Sequence, residues 1–262
     1  MCIRQQKGGG MTRIIGIVSG KGGVGKTTTT INLSAALMEF KKNVIAIDAD
    51  IKMSGLGLQL GMYYFPISLN DVLKGQGELF EALYIHSSGL RIIPASLNVD
   101  DVKISNFQKV LEDPLLENNI VLIDSPPGFE KNSLAVLKTC PELLIVTTPE
   151  IPAITEALKI ISITERMSST PIGIIVNMYK RKEPNQINLK EIRAICGLPI
   201  IGVIPEDDNI KRSIFKGVPA VCLNPYAPSS IAFKKITAAL IKEDYIPPKV
   251  PLLKKILGRF KK

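Results

Sequence analysis

A lysine and a hydroxyl residue closing a glycine-rich run are groups suited to holding phosphate, and this chain carries them in Gly20-Lys21-Gly22-Gly23-Val24-Gly25-Lys26-Thr27-Thr28. The stretch satisfies G-x-x-x-x-G-K-[ST] at every fixed position. Glycines let the backbone fold back so that successive N–H groups converge on one concavity, and the positive end of a following helix adds to their field. A triphosphate fits such a cradle. Lys26 is placed to reach the outer phosphates, and the Thr27 hydroxyl is a ligand for Mg²⁺. The plainer alternative is a turn that only joins two elements. Its context speaks against that, because an apolar run at residues 14–18 enters as a strand and Asn32-Leu33-Ser34-Ala35-Ala36-Leu37 leaves as a helix.

Two more apolar runs deliver carboxylates at their exits. Val44-Ile45-Ala46-Ile47 ends in Asp48-Ala49-Asp50, and Ile120-Val121-Leu122-Ile123 ends in Asp124-Ser125-Pro126-Pro127-Gly128. Buried parallel strands read as such near-continuous apolar runs. In an open α/β sheet ligands sit beyond the carboxyl ends of the strands, so all three carboxylates are expected near the phosphates. Asp124 suits Mg²⁺, reached through water. Taken singly, each is equally well a helix cap or turn residue, and only the loop binds them into a constellation.

The elements that must position these groups recur along the chain. Apolar runs at residues 90–94, 143–146, 171–176 and 199–204 alternate with helix-like stretches such as 154–167 and 231–241. That pattern predicts one α/β domain of three layers, a mostly parallel sheet of about seven or eight strands with helices on both faces. No linker or repeat divides it, so residues 11–244 are expected to form the domain, after an unstructured extension at 1–10 and before a linker and amphipathic helix at 245–262. Met11 directly precedes the first strand and is expected to be the native start.

Lys21 is an unusual charge within a phosphate loop; its ordinary explanation is a solvated surface lysine. Here the sequence resembles the MinD/ParA ATPases, whose deviant loop reads K-G-G-x-G-K-[ST]. The resemblance spans roughly residues 14–242 and the tail. It is nearer to MinD than to ParA in Asp124-Ser125-Pro126-Pro127-Gly128, Thr147-Thr148-Pro149-Glu150 and Val203-Ile204-Pro205-Glu206-Asp207. It implies an ATP-bound homodimer in which Lys21 crosses to the partner's nucleotide, a cation supplied in trans as an arginine finger is. It further implies that Asp50 orients the attacking water and Asp48 lies near the metal, with Lys21, Lys26 and Asp50 the catalytic set and ADP the nucleotide left after turnover. Asn177 and the run Pro205-Glu206-Asp207 match the adenine-side motifs, Asn177 for the base edge and Pro205 for its face; an ordinary turn residue also explains Asn177. Two departures stand out: Ser54-Gly55-Leu56, where the family often has Asn before Leu, and Pro152, where bacterial relatives carry a polar residue that meets regulators.

A formal charge of +9 suggests nucleic acid, but six Lys/Arg and no acid fall in residues 249–262, which leaves +3 elsewhere. Leu252, Leu253, Ile256, Leu257 and Phe260, placed at about 100° per residue, share an arc of about 140°, with Lys254, Lys255, Arg259, Lys261 and Lys262 outside it. This is a basic amphipathic helix, set off by Pro247, Pro248 and Pro251. At about 1.5 Å per residue it reaches only about 16 Å, so it is expected to lie in an anionic membrane interface and not to cross it. A helix packed on the domain or a frayed tail are the alternatives.

The remaining signals are quiet. Cys2, Cys140, Cys196 and Cys222 form no C-x-x-C, as in a reduced cytosolic protein, and His86 is the only histidine, so no histidine-based metal site arises. The expected function is an Mg-dependent ATPase, cytoplasmic and peripheral on the inner face of the cell membrane. It would position a division site or related apparatus with an unknown regulator or cargo. Three rivals remain: a ParA-like DNA-segregation ATPase using Lys180, Arg181, Lys182, Lys211 and Arg212, a nucleotide-binding adaptor, and an iron–sulfur scaffold.

Overall fold

The structure, a computed structural model, describes residues 12–97, 107–181 and 183–248. The expectations for residues 1–10, for Lys182 and for the tail helix at 252–262 therefore lie outside the described residues. Eight strands are seen there: β1 (Arg13–Val18), β2 (Val44–Asp48), β3 (Tyr84–Ile85), β4 (Arg91–Ile93), β5 (Ile120–Asp124), β6 (Glu142–Thr147), β7 (Thr170–Tyr179) and β8 (Ile200–Pro205). They form one sheet in the order β3-β4-β2-β5-β1-β6-β7-β8, parallel except where β3 runs against β4. The central strands are buried almost throughout, which is why they read as continuous apolar runs.

Alternation along each strand divides the core into two layers. Ile45, Ile47, Val121 and Ile123 face one cluster with α4 (Phe107–Leu111), α5 (Lys131–Thr139), α6 (Ile151–Thr164) and α7 (Leu189–Cys196). Val44, Ala46 and Leu122 face the other, built on α1 (Lys26–Glu39) and α10 (Pro228–Ile241). Helices α2 (Leu56–Gln59), α3 (Leu69–Lys74), α8 (Asp208–Phe215) and α9 (Ala220–Leu223) are the other described α-helices, beside 3-10 turns at Leu79–Ala82 and Pro114–Leu116. The predicted helix at 154–167 starts instead at Ile151, because Pro152 sits in its first turn, where a missing N–H and a fixed φ suit helix entry. Pro228 moves the start of α10 upstream of residue 231 in the same way. The two-residue β3, packed through Tyr84 against Phe65, was invisible to any periodicity.

Gly202 of β8 faces α10 so closely that a Cβ there would overlap the Ile236 side chain. Gly202→Ala should therefore destabilise by about 1–3 kcal/mol, the range for overpacking. Combined with Ile236→Ala, which removes the overlapping Cγ1 and Cδ1, the loss in urea unfolding should fall short of the sum of the singles; a double variant whose loss equals that sum would contradict the contact.

Candidate functional site

The loop between β1 and α1 is held by its neighbours before any ligand is considered. Ser19 Oγ donates to Lys21 O at 2.8 Å, Gly128 N donates to Ser19 O at 3.0 Å, and Asn177 Nδ2 donates to Val24 O at 2.8 Å. Gly20 lies against α6, where a Cβ would come within 2.6 Å of Glu156 backbone, and Gly25 takes φ 89° beside the Asn177 amide. Only glycine fits both positions. Gly25 is also the residue that opens α1, and it offers no side-chain cap. The N–H groups of the first helical turn are thus left to an external acceptor, the arrangement that suits an anion.

Under the loop the expected carboxylates converge. Asp48 and Asp124 end adjacent parallel strands at the same register. Thr27 Oγ1 donates to Asp124 Oδ2 at 2.5 Å, with Thr30 Oγ1 on the other oxygen at 3.4 Å. Lys26 is buried and is the main cation acting on Asp124. Burial nonetheless pushes the Asp124 carboxyl up to about 6 and, with the Asp124 charge added, pushes Asp48 up to about 8. Asp50 is shifted up by burial too, with its Met53 N hydrogen bond and Lys26 opposing. A hydroxyl and a carboxylate meeting over a buried ammonium are hard oxygen donors of the kind Mg²⁺ takes, so Thr27 and Asp124 can hold it. Burial has left Asp124 short of positive charge, which a divalent cation would supply.

Asp48 carries a hydrogen-bond network of its own. Its Oδ2 accepts from Ser54 Oγ at 3.1 Å and from Gly55 N and Leu56 N at 3.0 Å each, and its Oδ1 accepts from Asp50 N at 3.1 Å. Its oxygens are therefore engaged by the loop that carries Asp50. Ser54-Gly55-Leu56 finds its reason here, since a Cβ at Gly55 would lie 3.2 Å from Thr27 Oγ1.

A cavity of about 380 Å³ runs from the loop toward β7 and β8, lined by Gly25, Thr27, Asn177, Met178, Pro205 and Ile214 among others. That volume suits a small ligand. Pro205 borders it, whereas Asn177 has both polar atoms engaged by backbone, Nδ2 by Val24 and Oδ1 by Met178 N at 2.9 Å. The Asp207 carboxylate caps α8 through Asn209 N at 2.9 Å and holds Ser229 N at 2.9 Å. Glu206 pairs with Lys180 at 3.1 Å. Sequence reasoning gave no role to Met178, which follows Asn177 in its motif and is held at φ 55°, and it missed Gln59, outside any motif, whose Oε1 accepts from Thr28 at 2.9 Å. Lys21 lies at the surface, 3.6 Å from Glu150, an exposed pair of little net strength. A larger cavity, of about 630 Å³, lies at the opposite end of the strands.

Comparison with known proteins agrees with this geometry. The CobQ/CobB/MinD/ParA nucleotide binding domain matches residues 15–220. An uncharacterized ATP-binding protein of Methanocaldococcus jannaschii is 39% identical over 241 residues, covering 90% of each chain. The septum site-determining protein MinD of Pyrococcus horikoshii, solved with Mg-ADP, superposes with a TM-score of 0.81 at 34% identity, covering 92% of this chain and 100% of that one. A chain of the MinC:MinD cell division protein complex of Aquifex aeolicus gives 0.80 at 32% identity, over 91% and 98%. With the loop, the paired carboxylates and the sheet order all in place, this chain belongs to the CobQ/CobB/MinD/ParA family of nucleotide-binding domains, on its MinD side.

Proposed function

We propose that the protein is an Mg-dependent ATPase that dimerises with ATP, associates reversibly with the anionic inner face of the cell membrane through its C-terminal helix, and positions a cellular apparatus such as the division site. The observation that carries the nucleotide part is the contact of Thr27 with Asp124 beneath the uncapped start of α1. Backbone N–H groups of residues 22–28 and the Lys26 ammonium receive the phosphates. Thr27 and Asp124 hold Mg²⁺, which neutralises phosphate charge when bound. Asp50 orients the attacking water, its carboxylate fixed by Met53 N at 3.2 Å. Asn177 steadies the loop, and Pro205 faces the base. ADP leaves after turnover. The Mg-ADP of the Pyrococcus protein supports this reading, and the Aquifex complex supports a protein regulator.

Among the described residues the Lys21 ammonium is held by an exposed pair with Glu150, which a second subunit's phosphates can outcompete, drawing it across a dimer interface. The membrane part rests on the tail at residues 252–262. Each basic residue near an anionic leaflet contributes about 1 kcal/mol, so one tail binds weakly. Two tails on one dimer raise avidity by about 10² to 10⁴. Among the described residues no helix is long and apolar enough to cross a membrane. The DNA-directed rival finds less support, since six of the cations lie in residues 249–262 beside an apolar face that DNA phosphates would not use.

Lys26→Ala should abolish productive nucleotide binding, whereas Lys21→Ala should still bind ATP as a monomer while losing ATP-dependent dimerisation and hydrolysis. Calorimetry with ATP separates the two, and near wild-type turnover in either variant would overturn the role given to that lysine.

Asp50→Ala should lower hydrolysis by about 10² to 10⁴ and accumulate as an ATP-bound dimer. Light scattering with ATP and Mg²⁺ checks this; a variant that stays monomeric would place Asp50 in binding instead.

Replacing Leu253 and Ile256 with Glu puts charge into the apolar face of the tail. Co-sedimentation with anionic vesicles should require ATP in the intact protein, weaken with salt and vanish in this variant, with nucleotide affinity unchanged. If the variant binds vesicles as well as the parent, the membrane reading fails.

A further inference from the structure

The cavity of about 630 Å³ plays no part in the chemistry above. It lies at the amino ends of the strands, between the starts of β1 and β6, the turn from α4 into β5, and the end of α10. Its walls are apolar through Ile14, Leu111, Leu116, Leu240 and Ile241. One rim is acidic, with Glu112 and Glu117 exposed and Asp113 between them. The one arginine there is already committed: Arg13 binds Glu142 at 2.7 Å and donates to Leu240 O at 2.5 Å, closing the end of α10. An acidic rim is a local exception in a chain of net charge +9.

Residues 249–262 carry the complementary pattern, six cations and no acid around a face of Leu252, Leu253, Ile256, Leu257 and Phe260. The chain leaves the described structure at the same end of the molecule. Glu243 pairs with Lys42 at 2.6 Å and Tyr245 meets Phe40 edge-on at 6.0 Å, both just ahead of β2. Lys242 itself lines the cavity, and Leu252 is ten residues on, within roughly 35 Å of extended chain.

We propose that this groove is the resting site of the chain's own C-terminal segment, residues 249–262, whose apolar face enters the cavity while its cations meet Glu112, Asp113 and Glu117. Docking stands without the membrane reading; its consequence rests on it. A tail that must leave the groove before inserting has its apparent membrane affinity reduced by the undocked fraction, about tenfold if about one tail in ten is free. Insertion would then demand enough anionic lipid, or enough tails on one assembly, to compete with the groove.

The chain contains no tryptophan, so Phe260→Trp in the full-length protein is a unique reporter. In the absence of lipid its emission should be blue-shifted and unaffected by dilution. Glu112→Lys with Glu117→Lys should move it to the solvent-exposed wavelength, leave nucleotide affinity in place, and tighten binding to weakly anionic vesicles about tenfold. Solvent-exposed emission in the parent would overturn the proposal. So would a blue shift that survives the charge reversal, because the tail is then buried elsewhere, or one lost on dilution, because the groove is then a second copy's. Residues 1–10 lead into Thr12 of the same groove, and a blue shift that arises only on deleting them would make that segment the occupant and defeat the assignment. If the reporter behaves as expected but no variant binds vesicles, docking stands and the membrane reading falls.

Discussion

The arrangement depends on the burial of carboxylates against a single buried ammonium. Asp48 and Asp124 end adjacent strands at one register, so their charges face each other in a layer where water cannot separate them. Lys26 offsets part of that repulsion, and the Thr27 hydroxyl and the amides beyond Asp48 stabilise the rest by hydrogen bonding. Both carboxyls nevertheless stay well above the ordinary carboxylate range. A site left short of positive charge in this way favours a ligand that brings a divalent cation.

From that constraint the two surface loops follow. Asp48 spends its oxygens on residues 50–56 and so holds Asp50 half-buried beside Lys26. Gly128 and Asn177 fasten the phosphate loop from opposite sides. The loop is preorganised by backbone contacts from three strand exits, which keeps its N–H groups aimed inward without a ligand to order them.

Much of this could be read in the residues. The phosphate loop, the strand exits at Asp48 and Asp124, and the three-layer parallel architecture each follow from a local pattern: glycine spacing, a carboxylate after an apolar run, an alternation of periods. What escaped was decided by contacts between distant segments. Nothing near Asn177 in the sequence announces that its amide meets Val24, and nothing near Asp207 announces Ser229. The resemblance placed Asp48 near the metal, and nothing in that motif announces the four donors two to eight residues downstream from which its oxygens accept. Pro152 and Pro228 were legible as helix starters, but the apolar periodicity used to place those helices begins only after the first turn. β3 is too short for any period to register.

The two ends of the sheet carry different kinds of work. Nucleotide chemistry belongs to the carboxyl ends of the strands, where loops converge. The C-terminal segment departs from the amino ends, on the far side of a core whose central strands are fully buried. On the proposed reading, nucleotide state reaches the anchor through the number of tails held together. Dimerisation multiplies two weak insertions, and the acidic groove beneath the sheet sets how weak each one is. Hydrolysis then needs only to separate the subunits for the anchor to let go.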